Sequence, residues 1–97
     1  MKNLTDSIIN AVKRHIPFEH YRMFYFGSRV SGKAAQRSDI DIGIESSDKI
    51  PLDAIARIIE ELDQLPLLQS IDIVDFYRVS KDFSTEAKKN MEIIYEQ

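Results

Sequence analysis

The sequence predicts an α/β (α+β) domain in which helices pack against a small mixed β-sheet. Segments whose apolar residues recur every three or four positions alternate with short apolar or strictly alternating runs, the pattern of helices interleaved with strands. The 97 residues, 43% apolar and 30% charged, suit one packed core and leave no room for a second, so residues 1–97 are expected to form a single domain. No internal repeat, low-complexity tract or linker interrupts the alternation.

Leu4, Ile8, Ala11, Val12 and Ile16 fall on one face of a first helix that ends before Pro17. Tyr21 to Phe26, nearly all aromatic or apolar, reads as a buried strand that stops at a sharp turn on Gly27. A short helix is predicted from Ser28 to near Gly32, followed by a polar loop through Lys33, Gln36 and Arg37. From Asp39 to Ile44 acids alternate with isoleucines, so Asp39 and Asp41 leave one face of a strand while Ile40, Ile42 and Ile44 leave the other. Pro51 opens a second long helix with Leu52, Ile55, Ile59, Leu62 and Leu65 as its buried stripe before Pro66. Ile71 to Phe76 is a third strand, Ser80 caps a short helix ending near Lys88, Lys89 and Asn90, and Met91 to Tyr95 adds an edge strand.

Composition removes several function classes. With no cysteine there are no disulfides, thiolate metal sites or thiol nucleophiles. Apolar runs are far shorter than the ~20 residues a membrane helix needs, so neither membrane nor export is indicated and a cytoplasmic location is expected. Asn3-Leu4-Thr5 matches a glycosylation sequon, but without a secretory signal it reads as helix entry. A net charge of −3 argues against bulk nucleic acid as a direct partner.

The chemistry-bearing residues sit in three places. Asp39 and Asp41, two apart on a strand, send their carboxylates from the same face with Cα atoms about 7 Å apart and can converge on one cation. Mg²⁺ takes oxygen ligands and usually only one or two protein carboxylates, with phosphate and water completing its shell. Twelve residues before Asp39, Gly27-Ser28 ends a strand and opens a helix. There a glycine allows close backbone approach to an anion, a hydroxyl adds a donor and the helix terminus supplies free N–H groups. Arg29, Lys33 and Arg37 add positive charge around this turn. Asp72 interrupts the apolar run Ile71-Asp72-Ile73-Val74, where a charge normally has a partner or a metal; the bland alternative is an exposed strand-end aspartate. Asp75 has the opposite parity and is read as capping or solvated.

Together, Gly27-Ser28-Arg29 with Gly32, Ser38-Asp39-Ile40-Asp41-Ile42 and Ile71-Asp72-Ile73-Val74-Asp75 resemble the nucleotidyltransferase superfamily of DNA polymerase β, specifically its minimal nucleotidyltransferase (MNT) branch. The resemblance runs from the first helix to Tyr95 and implies the nucleotidyltransferase fold. It implies that Asp39, Asp41 and Asp72 hold Mg²⁺, two ions in all, and are catalytic, with Asp72 helping to take the acceptor hydroxyl's proton. It implies that Gly27 and Ser28 grip the β- and γ-phosphates of a nucleoside triphosphate, ATP being the expected donor, with Arg29 assisting. It also implies a HEPN-domain partner protein, and an antitoxin role in which AMP is added to a partner tyrosine. A chain this small has little room for its own acceptor pocket, so a partner or a second copy in a homo-oligomer is expected to supply that wall. Two alternatives stand beside this reading, a non-catalytic antitoxin that acts by binding alone and a transferase for a small hydroxylated molecule such as an antibiotic.

Other motifs fall away on inspection. Gly27 to Lys33 begins like a P-loop, but Ala34 stands where Ser or Thr should meet Mg²⁺. Asp39-x-Asp-x-Gly begins like a calcium loop, yet Ile50 replaces the terminal Glu. His15 and His20 lack a second ligand at useful spacing, the aromatic run from Tyr21 to Phe26 reads as core rather than base-stacking surface, and Glu60, Glu61 and Asp63 read as a solvated helix face.

Overall fold

The computed structural model describes residues 2–27 and 39–97. In chain order, α1 spans Lys2–His15, β1 Tyr21–Phe26, β2 Ile40–Ser46, α2 Leu52–Leu62, β3 Ile71–Asp75, α3 Lys81–Ala87 and β4 Met91–Glu96. The four strands form one mixed sheet in the order β3-β2-β1-β4. β1 is antiparallel to both its neighbours and β2 is parallel to β3. The parallel pair follows from α2, whose length carries the chain back to the end of the sheet from which β2 started. The short helix predicted from Ser28 and the polar loop after it lie outside the described residues.

The alternation in β2 divides the sheet into two unlike faces. Ile40, Ile42 and Ile44 are buried and join Ile8, Ala11 and Val12 of α1 with Ala54, Ile58 and Leu62 of α2 in the main core. The stripe expected on α2 is therefore rotated. Leu52 and Ile59 are exposed and Ile55 is only partly covered, while Ala54, Ile58 and Leu62 face inward. The sequence offers two apolar stripes on this helix, and the small Ala54 lets α2 lie close against the sheet, a choice that periodicity alone does not make. Across the helix pair, Glu61 is held by Arg14 and by His15 Nε2 at 2.9 Å, so it links α1 to α2 instead of belonging to a free solvated face.

On the other face, Phe24, Phe26 and Phe76 form a smaller aromatic core with Val74, Val79, Ala87 and Met91 around it. Gly43 makes this cluster possible. A Cβ there would stand 2.4 Å from Phe24 and 2.7 Å from Phe76, so the rings cover β2 only because the strand has no side chain at that point. At the far end of the same face, Arg22 and Lys88 converge on Glu45; burial alone would raise the Glu45 carboxyl, but these hydrogen bonds hold it below its ordinary value.

Asp75 is buried, not solvated, and its role is that of a cap. It accepts hydrogen bonds from the Ile50 N–H (2.9 Å), the Tyr77 N–H (3.0 Å) and Arg78 Nε (3.1 Å), while Arg78 also donates to the Ile50 carbonyl (2.8 Å). The turn after β3 and the loop before α2 are thereby fastened together. Ser80 caps α3 as its sequence position predicts, accepting from the Phe83 N–H at 3.1 Å.

Candidate functional site

At the end of the sheet where β1 finishes and β2 and β3 begin, three chain segments bring acids and a glycine together. Asp41 is the cross-strand partner of Phe26 in β1 and of Asp72 in β3, so the two carboxylates lie side by side in parallel register. Asp39 stands just before β2 rather than within it and is exposed. Asp72 is exposed on the edge strand and Asp41 is half-buried. The burial argument for a charge inside an apolar strand thus does not apply to Asp72; its juxtaposition with Asp41 is what singles it out.

The electrostatics report this crowding. Asp41 is raised above its ordinary value of 3.8, first by desolvation, then by the charge of Asp72 and then by that of Asp39. A group pushed up by its neighbours' negative charge is one that a cation would relieve. Among the described residues, neither Asp41 nor Asp72 has a hydrogen-bond or ion-pair partner that could do so.

Gly27 closes the site from the β1 side. Its φ of +83° lies in the left-handed region, and a Cβ there would be 2.5 Å from Asp41 Oδ2. Two separate constraints, backbone conformation and space beside a carboxylate, therefore require glycine. Ser28 and Arg29 lie outside the described residues, as do Gly32, Lys33 and Arg37.

Whether these residues fit a cation is a question of donor chemistry. No group of three acidic or histidine side chains among the described residues is already drawn together as a metal cage. The arrangement offers one firmly placed carboxylate with a second beside it and a third close enough to be felt, all hard oxygen donors. Mg²⁺ commonly takes one or two protein carboxylates and completes its octahedron with phosphate oxygens and water. The carboxylates placed here are the hard oxygen donors that fit that ion.

Phe83 is a part of this region that residue patterns did not single out. It sits in the first turn of α3, its ring 6.2 Å from that of Phe26 and 5.8 Å from that of Phe76, yet 44% exposed. Its signal in the sequence is only an aromatic three residues after a capping serine; nothing local ties it to Phe26.

Known proteins resemble this chain over most of its length. The family model described as polymerase beta, nucleotidyltransferase matches residues 7–97. The chain is 37% identical over 79 residues to the probable protein adenylyltransferase MntA of Haemophilus influenzae, a match covering 79% of this chain and 68% of that protein. Among solved structures, a toxin–antitoxin with AMP-PNP is similar at a TM-score of 0.78 with 22% identity, covering 96% of this chain and 73% of the matched chain. The complex of a tri-AMPylated Shewanella oneidensis HEPN toxin with MNT antitoxin is similar at a TM-score of 0.74 with 20% identity, covering 99% and 72%. At these identities the two structures establish the fold.

Proposed function

This chain belongs to the polymerase β nucleotidyltransferase family, and on that premise we propose that it moves AMP from ATP to a hydroxyl on a HEPN-type partner protein, acting as an antitoxin. The observation that carries the reading is the parallel pairing of Asp41 with Asp72 against the Gly27 turn. The donor and the partner are chosen by likeness: MntA is named for protein adenylylation, and the Shewanella complex unites an AMPylated HEPN toxin with an MNT antitoxin.

In this mechanism Asp39, Asp41 and Asp72 would hold Mg²⁺, which would supply electrostatic stabilisation of the charge that develops during phosphoryl transfer. Asp41 would be the half-buried ligand on β2, with the more exposed Asp39 and Asp72 on either side of it. Gly27, without a Cβ, leaves its backbone open to the β- and γ-phosphates, and Ser28 and Arg29 supply further donors to them. Asp72 lies on an edge strand that a second protein can reach. There it accepts the proton as the acceptor oxygen bonds to the α-phosphorus and the bond to the bridging oxygen breaks, releasing pyrophosphate.

The test is to incubate the protein with α-labelled ATP, Mg²⁺ and a HEPN-type partner. Label is expected on a partner hydroxyl, and Asp41→Asn is expected to lower the rate by roughly 100-fold or more. An Asp41→Asn protein that neutralises the partner as well as the parent, with no label transferred by either, would establish a non-catalytic binding module instead. Label appearing only on small hydroxylated compounds would establish a small-molecule transferase.

A further inference from the structure

The aromatic cluster beside the acids extends beyond its buried rings to a partly exposed one. Phe24, Phe26 and Phe76 are buried, and their edge-to-face contacts already seal the second face of the sheet over Gly43. Phe83 is added on top, in edge contact with Phe26 and a tilted contact with Phe76, and leaves nearly half of itself in water. α3 contributes no buried residue, so Phe83 is not dragged to this place by a helix that packs tightly elsewhere.

Position gives the exposed ring its meaning. Phe26, which Phe83 touches, is the direct cross-strand partner of Asp41 and precedes Gly27. The ring therefore stands one residue layer from the carboxylates and the turn. Phosphates lying against Gly27, the residue after Phe26, would bring a nucleotide's base near Phe83, a partly exposed ring in edge contact with Phe26 and tilted contact with Phe76, and an exposed aromatic ring is a surface on which a base can stack.

We propose that Phe83 is the stacking platform for the nucleobase of the triphosphate, a binding and specificity-determining residue; this rests on the nucleotidyl-transfer reading above. Stacking reads the area of a ring rather than its hydrogen-bonding edge, so the platform favours a base-bearing triphosphate over inorganic tripolyphosphate and favours purines over pyrimidines.

The chain has no tryptophan, so Phe83→Trp introduces a single indole reporter. With Mg²⁺ present, ATP is expected to quench its fluorescence at saturation, whereas tripolyphosphate is expected to compete with ATP and leave the emission unquenched. In a second variant, Phe83→Leu, the apolar contact with Phe26 and Phe76 is kept and the ring is lost. Its Kd for ATP is expected to rise about 5- to 100-fold, with the Kd for tripolyphosphate unchanged, the latter also reporting that the fold is intact. An unquenched indole at saturating ATP, or an unchanged ATP affinity in Phe83→Leu, would overturn the proposal, as would a defect confined to binding of the acceptor protein. Binding of tripolyphosphate but not ATP preference in the parent protein would sink the platform alone, and binding of neither would remove the transferase reading along with it.

Discussion

Asp41 concentrates the tension of the site in one side chain. Its carboxyl is raised by desolvation and by the charges of Asp72 and Asp39, so the folded protein holds a proton there more firmly than the unfolded chain does. For a raised carboxylate the penalty is fully present above the folded pKa and vanishes below the unfolded one. Metal-free protein is therefore less stable at neutral pH than it would be without this charge. Asp41→Asn, in chelator, is expected to raise Tm by a few degrees at pH 7, and this gain is expected to disappear as the pH falls below the ordinary aspartate value of 3.8. Thermal melts of both proteins from neutral to acid pH check this; a variant less stable than the parent at pH 7 would show that the carboxylate is satisfied in the fold. The same substitution that stabilises is thus the one expected to abolish transfer, the usual relation between a working site and the stability around it.

Among the elements, α2 shows how far the sequence determines structure and where it stops. The existence and start of the helix are legible from Pro51 and the spacing of its apolar residues, while its end at Leu62 comes before the Leu65 that the spacing includes. Its orientation is legible only in part: Leu62 is buried as expected, but Leu52-Ile55-Ile59-Leu62 and Ala54-Ile58-Leu62 both satisfy a helical period and only contact with β2 and α1 selects the second. The expected consequence is sharp. Ile58→Ala, at a fully buried position, should cost about 2–5 kcal/mol and lower Tm by roughly 10 °C or more. Leu52→Ala, at a position 67% exposed, should stay within about 0.5 kcal/mol; denaturant titration distinguishes the two. The strands were easier to read, since a two-residue alternation of aspartate and isoleucine has one burial solution. For Asp75 the sequence leaves capping and solvation both open, and the structure selects capping through Arg78 and through Ile50, which no local pattern joins to it. Phe83 lies 57 positions after Phe26 (83 − 26), and no local pattern could have joined them.

At the scale of the whole molecule, the acids and the glycine come from three strands meeting at one end of a single sheet, so filling the site ties the sheet together. A ligand that binds only the folded chain stabilises it by mass action, by about 2.7 kcal/mol at one hundred times its Kd. ATP with Mg²⁺ at that concentration is expected to raise Tm by roughly 10–20 °C, and ATP with chelator by much less, since the repulsion among Asp39, Asp41 and Asp72 would then be increased by the triphosphate. Equal shifts with and without the divalent ion would count against carboxylate-held Mg²⁺. Among the described residues no helix is long and apolar enough to cross a membrane.

The strand order has an outcome during synthesis. β1 needs β4 along one edge, yet Phe26 and its partner Met91 are 65 positions apart (91 − 26). While the ribosome makes everything between them, an aromatic-rich strand waits with one side open, able to recruit any other extended chain it meets. Pauses in translation after Ile71 would lengthen that hazardous interval, whereas emergence of the segment through Glu96 ends it.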